Sequence, residues 1–360
     1  MKYNLELESY FQNKFSLEAI TTITSEENFS IQFWEDYLLS SSKNGLQILQ
    51  DFYPQLYFPV QTEINKTESY INAVLKGKKS YENLHKNLQL NDKDGITIKV
   101  YDSVAGAIPI VSINDCEDFS TFVQCFLHKN NPEPIPQSMG AFLANGINNW
   151  ARIHDLKEKW IRNNPFGNWN TEFSQNILPH PGMYKDKIIV LSTKPYSNVP
   201  ADKLGLSDHE WRAYSYTIRL EHECTHLYTL KKYGKASNNL HDELIADYIG
   251  ICKAFGEYNK EWMLAFMGLE NYPQYRKGAR LENYLNNQVS EENFQDITYI
   301  IKNAIEAIAY FDSELGIIQS DRDQMVRIET LCETDIIDIA SGRGGYMLMT
   351  KYNEKEITKG

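Results

Sequence analysis

Two neighbouring segments near the middle of the chain carry chemically versatile side chains at helical spacing. The first runs from Arg219 to His226, reads Arg-Leu-Glu-His-Glu-Cys-Thr-His and contains the pattern H-E-x-x-H. Residues four apart on an α-helix share a face, so His222 and His226 can present two imidazole nitrogens to one metal ion. Glu223 lies at the edge of that face, where its carboxylate can reach a metal-bound water and act as a general base.

The second segment, from Leu240 to Tyr248, also has a helical pattern and carries two acids four residues apart, Glu243 and Asp247. A catalytic zinc site usually takes three protein ligands and leaves the fourth position for water, and His, His, Glu is one of the known sets. Glu243 is therefore the candidate third ligand. A ligating histidine normally donates its other ring nitrogen to a carboxylate, and Asp247 is the candidate for that outer position.

Both segments lie in helices whose ends can be read from the sequence. Ser207, followed three residues later by Glu210, has the pattern of a capping box, and the helix it opens should run to about Tyr233, before Gly234. The second helix should run from an N-cap at Asn239 to Phe255. The first helix has few polar positions and should be buried, and buried histidines and acids need partners or a metal.

H-E-x-x-H followed, after a short loop, by a helix with Glu and then Asp four residues on resembles the gluzincin metallopeptidases, to which thermolysin belongs. The resemblance covers roughly residues 187 to 255, and Asp242 stands where the family usually has Asn. It implies Glu223 as base and proton shuttle and Asp247 as the outer partner of His222. It also implies one zinc ion held by His222, His226 and Glu243.

The predicted fold class is α+β, with a zincin-like catalytic core in which a small mixed sheet accompanies the two site helices, flanked by helical N-terminal and C-terminal parts. The Pro-rich stretch at residues 131–136 is the clearest subdomain boundary, because proline fits neither a helix interior nor a central strand. Extended patterns occur at residues 96–101, 108–113 and 187–192. The predicted regions are 1–130 (N-terminal α/β), 135–258 (metal site) and 259–360 (helical).

Two further segments carry specific expectations. Residues 138–150 are rich in Gly and Asn, as is the gluzincin edge strand that lies over the metal, although a buried strand or a turn explains the same residues. Residues 341–346 should be a flexible loop. Helical patterns run over residues 29–39, 43–53, 115–128, 261–267, 291–315 and 321–333.

The amino-acid composition limits the kinds of partner that the protein can bind. The net charge of −12 argues against nucleic acid and anionic membrane surfaces, which call for clustered Lys and Arg. No apolar run approaches the roughly 20 residues of a membrane span, and the N-terminus lacks a signal peptide. The five cysteines are odd in number and scattered, which is typical of cytosolic thiols. We therefore expect a cytoplasmic protein.

The favoured function is a zinc-dependent hydrolase, acting on a peptide or protein substrate with narrow specificity. Two alternatives are ordinary core helices whose acids and histidines only pair with each other, and a zincin-like fold that keeps its metal but serves as a binding or scaffold protein. The sequence leaves open the substrate, the oligomeric state and the donor that would stabilise a developing oxyanion. The candidates for that donor are Tyr248, His241, His180, Arg343 and Tyr346.

Overall fold

A computed structural model of the protein describes residues 10–15, 25–79, 87–234, 239–285 and 289–359. These residues form mainly helices and one four-stranded sheet with both parallel and antiparallel pairs. The α+β class predicted from the sequence is therefore confirmed. The finer expectation of a zincin-like core stays a prediction.

The chain divides into two compact units. A sheet unit contains Ile23–Asp102 and Gly106–Thr193, and a helical unit contains Met1–Thr22, Ser103–Ala105 and Lys194–Gly360. The Pro-rich stretch at residues 131–136 lies within the sheet unit. Both predicted site helices lie in the helical unit together with the helices that follow residue 259. The division of the chain into regions 1–130, 135–258 and 259–360 remains a prediction.

The sheet has the strand order β1-β2-β4-β3. Strands β2 and β4 are parallel, as in the pair Ile110 and Ile189, whereas β3 runs antiparallel to β4. The register of β3 shifts at Gly146, whose φ of 79° is readily reached only by glycine. The Gly- and Asn-rich segment therefore forms an edge strand. The strands are β1 (Ile96–Ser103), β2 (Gly106–Ile113), β3 (Ala141–Asn148) and β4 (Lys185–Ser192).

Helices in the sheet unit bury apolar faces in a core that includes Trp34, Phe52, Phe122 and the β4 residues Ile188 and Val190. Each of these side chains is fully buried, and Ile188 and Val190 belong to the apolar run at residues 188–191, which is typical of a strand covered on both faces. The longer helices of this unit are α1 (Ser25–Ser40), α2 (Gly45–Phe52), α3 (Cys116–Leu127) and α4 (Trp150–Asn163).

The helical unit contains the two predicted site helices at their predicted bounds. Its longer helices are α5 (Asp208–Tyr233), α6 (Leu240–Phe255), α7 (Lys260–Met267), α8 (Glu291–Leu315), α9 (Asp321–Cys332) and α10 (Gly344–Lys359). One expectation was wrong. The segment expected to be a flexible loop at residues 341–346 leads directly into α10, since Gly344 and Gly345 are its first residues.

Two findings concern membrane-spanning helices and the cysteines. Within the residues that the structure describes, no helix is long and apolar enough to cross a membrane. None of the five cysteines, all of which lie in the described ranges, forms a disulfide, and four of them are buried, including Cys224 between the two histidines of the pattern. The buried position of Cys224 indicates a packing role.

Candidate metal centre

The helix that carries the H-E-x-x-H pattern is long, capped at both ends and buried where the histidines lie. Ser207 accepts a hydrogen bond from the Glu210 amide, and the Glu210 carboxylate accepts one from the Ser207 amide, which completes the capping box. At the other end Gly234 adopts a φ of 71°, which ends the helix in the left-handed conformation that glycine tolerates. His222 and His226 are each only 6% exposed.

The second site helix, α6, packs closely against α5 because of a glycine. A Cβ atom added to Gly250 would lie 2.7 Å from the backbone oxygen of Ile218, so a larger residue would push the helices apart. The N-cap at Asn239 and the C-cap at Gly256 match the sequence prediction. This close packing brings Glu243 on α6 to the histidines on α5.

Three side chains that can each offer an atom to a metal ion converge between these helices. The Nε2 atoms of His222 and His226 lie 3.0 Å apart, Glu243 Oε2 lies 3.5 Å from His222 Nε2, and Glu243 Oε1 lies 3.5 Å from His226 Nε2. Tetrahedral zinc with ligand bonds of about 2.0–2.1 Å has ligand atoms about 3.3–3.5 Å from one another. The residues present therefore fit a zinc ion, and they are the three predicted from the sequence, His222, His226 and Glu243.

Each histidine is backed by a buried carboxylate on its outer nitrogen. His222 Nδ1 lies 2.8 Å from Asp247 Oδ1, and His226 Nδ1 lies 3.1 Å from Asp242 Oδ2. Ionised carboxylates only accept hydrogen bonds, so a neutral histidine beside them carries its ring proton on Nδ1 and directs its Nε2 lone pair toward the other histidine. Two lone pairs and a carboxylate that meet in a buried space repel one another unless a cation or protons lie between them.

Asp247 is held by Tyr196 and Arg280 as well as by His222. Its Oδ1 accepts a hydrogen bond of 2.6 Å from the Tyr196 hydroxyl, and its Oδ2 accepts one from Arg280 Nη2. Burial acts to raise the pKa of Asp247, but Arg280 and His222 outweigh it and lower the pKa to about 2. Asp247 is therefore ionised at neutral pH.

Tyr196 sits at a strained turn that fixes its position. The two residues after it, Ser197 and Asn198, have φ values of 50° and 55°, in the left-handed region that costs a non-glycine residue energy. Its backbone amide donates to Ser215 Oγ at 3.0 Å, and Arg280 Nη1 donates to its hydroxyl at 2.9 Å. Strain of this kind persists only where the surroundings hold it, and here it lies beside the donor cluster.

Glu243 has its own hydrogen-bond donor, Tyr284, whose hydroxyl lies 2.7 Å from Glu243 Oε2. Arg280 Nη2 lies 4.0 Å from the same oxygen. Burial acts to raise the pKa of Glu243, but its contacts with His226 and His222 outweigh that effect and lower the pKa. Both Arg280 and Tyr284 lie on the short helical turn Arg280–Tyr284.

Glu223 differs from the ligands because it is partly exposed to solvent. Burial raises the pKa of Glu223. His222 and His226 act in the opposite direction, because they favour the ionised carboxylate, but burial has the larger effect. A carboxylate with a raised pKa, beside a donor cluster and open to water, is suited to accept and return a proton.

Residues 2–343 match a family whose description is a family of unknown function, DUF7005. The chain belongs to this family. No curated protein and no solved structure matches it. Since the description of DUF7005 names no activity, the function must be inferred from the site itself.

The oxyanion donors considered from the sequence of this DUF7005 member gain no support from their contacts. The Tyr248 hydroxyl donates to Asp312 Oδ1 at 2.9 Å, and His241 Nε2 lies 2.9 Å from the Leu331 carbonyl oxygen. Tyr346 is 64% exposed on α10, where it packs against Tyr310. Arg343 lies just before that helix, and His180 belongs to the sheet unit.

Sequence reasoning missed four residues that complete the centre, namely Tyr196, Asp242, Arg280 and Tyr284. Asp242 carried a signal, because it stands where the gluzincin pattern usually has Asn and precedes Glu243 directly. The other three come from irregular or short segments on either side of the site helices. Neither segment has a periodic pattern that points to a site.

Proposed function

We propose that this protein is a zinc-dependent hydrolase that acts on peptide bonds in a narrow range of substrates. The observation that supports this most directly is the convergence of His222 Nε2, His226 Nε2 and the Glu243 carboxylate, at 3.0–3.5 Å, beside the partly exposed Glu223. The resemblance to gluzincins supports peptide bonds over other amides. The cytoplasmic location expected from the sequence belongs to the same proposal, and it favours narrow specificity over general proteolysis.

The ligand set is held ready by the groups around it. Asp247 and Asp242 face the Nδ1 atoms, and in the neutral histidines that a metal requires they would hold the ring protons there and direct both Nε2 lone pairs inward. Zinc bound by this set would lower the pKa of its water toward neutrality and polarise a substrate carbonyl. Arg280 offsets the charge of Asp247, which limits the excess of negative charge in the centre.

Glu223 moves the proton in this proposal. It takes the proton from the attacking water while the water oxygen bonds to the carbonyl carbon, and it then gives that proton to the nitrogen of the departing amine as the C–N bond breaks. The raised pKa of Glu223 favours the first step, because it makes the carboxylate a stronger base toward the attacking water.

The competing interpretation, that the acids and histidines only pair with each other, is less consistent with the geometry. A pairing network places donors against acceptors, whereas the two Nε2 atoms face each other at 3.0 Å with the Glu243 carboxylate 3.5 Å from each, so neutral histidines with their protons on Nδ1 would present only acceptors there. Such an arrangement is favourable around a cation and costly without one.

Metal content is the first test. Protein purified without chelators or a His-tag should contain about one zinc per chain by plasma mass spectrometry. Glu243→Ala should lose it, whereas Glu257→Ala, which removes an exposed carboxylate from the same unit, should keep it. An absence of bound metal in the unaltered protein would refute the proposal.

Glu223→Gln tests the chemistry. This change keeps the size of the side chain and removes its ability to accept a proton, so the variant should retain zinc and lose hydrolysis of the peptides that the unaltered protein cleaves in a fluorogenic library. A variant that binds zinc and still cleaves at the original rate would show that Glu223 is not the base.

A further inference from the structure

The two oxygens of Glu243 lie in different surroundings. Oε1 faces His226 Nε2 at 3.5 Å. Oε2 lies 3.5 Å from His222 Nε2, accepts a hydrogen bond of 2.7 Å from Tyr284 and has the Arg280 guanidinium at 4.0 Å. A carboxylate can bind a metal through one oxygen or through both, and the choice decides how many positions remain for water or substrate.

Tyr284 is well placed to bias that choice. A phenol keeps its proton at neutral pH and donates along a defined direction, so an oxygen that accepts its hydrogen bond has less electron density available for a metal. The positive charge of the Arg280 guanidinium also makes Oε2 less available to a metal. Among the described side chains, no phenol or guanidinium contacts Oε1 in this way. The nitrogen that Oε1 faces is His226 Nε2, which is itself a predicted metal ligand.

The segment that carries Tyr284 is tied to the centre at its other end. Arg280 binds Asp247 and Tyr196, and the Tyr275 hydroxyl donates to the backbone oxygen of Ala279, the N-cap of the turn, at 3.2 Å. Tyr284 therefore approaches Glu243 from a turn whose start is anchored. The phenol is partly exposed, so the hydroxyl is not required to fill a sealed core.

We infer that Tyr284 is a positioning residue that makes Glu243 bind the metal through Oε1 alone. The inference rests on the proposed function, since it assumes the metal site. It adds a specific role: by occupying Oε2, the phenol keeps the site at three protein ligand atoms and leaves the remaining position to water and substrate. Without the phenol, both oxygens can approach the ion and compete with water.

Cobalt provides a readout of coordination that needs no substrate. The unaltered protein, Tyr284→Phe and Tyr275→Phe would be prepared metal-free and titrated with Co²⁺, whose visible absorption is intense at four-coordinate sites and weaker at five-coordinate ones. We expect Tyr284→Phe to bind one Co²⁺ with its visible absorption lowered by about half and its band positions shifted. Tyr275→Phe removes a phenol of the same segment that does not contact Glu243, while Arg280 still holds the turn through Asp247 and Tyr196, so this variant should keep the original spectrum.

Zinc affinity is measured alongside, by competition with a chromophoric chelator. Loss of an outer hydrogen bond to a ligand should weaken it about tenfold in Tyr284→Phe and leave it unchanged in Tyr275→Phe. Identical spectra and affinities in Tyr284→Phe and the unaltered protein would overturn the inference and leave the proposed metal site intact. Failure of the unaltered protein to bind either metal would instead refute the proposed function, and the inference with it.

Discussion

Asp247→Asn should weaken metal binding and, separately, destabilise the metal-free protein. The carboxylate is fully buried and accepts hydrogen bonds from His222, Tyr196 and Arg280. An asparagine oxygen can still accept from His222, but the negative charge that supports the ring proton is lost. The amide nitrogen is a donor and cannot replace the oxygen that faces Arg280.

The two effects have different sizes. Loss of an outer carboxylate costs about 10–100-fold in metal affinity, which corresponds to about 1.4–2.7 kcal/mol. Removal of one partner from a buried ion pair costs about 3–5 kcal/mol in stability. Arg280 retains Glu243 at 4.0 Å as a second carboxylate, so we expect a loss near the lower end, about 3 kcal/mol.

A double-mutant cycle separates these effects. Zinc affinity is measured by chelator competition, and the free energy of unfolding by urea denaturation with excess chelator present, for Asp247→Asn, Arg280→Gln and the double variant. Because Arg280→Gln removes the unpaired charge, Asp247→Asn should cost about 1 kcal/mol in that background, a coupling of about 2 kcal/mol. Unchanged zinc affinity in Asp247→Asn would show that Asp247 does not support His222 as a ligand. Stability losses that add in the double variant would show that Asp247 and Arg280 do not act as an ion pair.

Two further predictions concern the helix cap and pH. Ser207→Ala should lower the free energy of unfolding by about 1 kcal/mol in urea denaturation, because it removes the cap of α5; a loss below about 0.3 kcal/mol would contradict this. Acidification from pH 7 to 5 should release zinc, since protonated histidines cannot bind it. Asp247, whose pKa is lowered to about 2, stays ionised in that range, so its stabilising effect should be complete above its unfolded pKa of about 3.9 and fade only as the pH falls toward 2. Zinc content after dialysis and urea denaturation at each pH would check both statements, and zinc retained at pH 5 would contradict the first.

The parts of the molecule that sequence predicted well depend on local rules. The bounds of α5 follow from the capping box at Ser207 and the glycine at 234. The spacing of four between His222 and His226 and between Glu243 and Asp247 predicted which side chains meet between α5 and α6, and their role as metal ligands stays a prediction. Such patterns involve neighbours along the chain, so they are visible without a structure.

The missed parts depend on tertiary packing or on a misleading local signal. Tyr196 and Arg280 meet at Asp247 although they are far apart in the chain, and Tyr284 reaches Glu243 from a five-residue turn. No periodicity marks these positions. The start of α10 was missed because Gly344 and Gly345 disfavour a helix, and the favourable residues that follow outweigh them.

The order of the site along the chain has a consequence for biosynthesis. The groups described at the centre all come from the stretch between Tyr196 and Tyr284, whereas the sheet unit ends at Thr193. During translation the whole sheet unit therefore leaves the ribosome before His222, the first candidate ligand, does, and units tend to fold in the order of their synthesis. His226 and then Glu243 follow. All three ligands of the proposed zinc site would thus be present on a nascent chain before helices α8 to α10 were made.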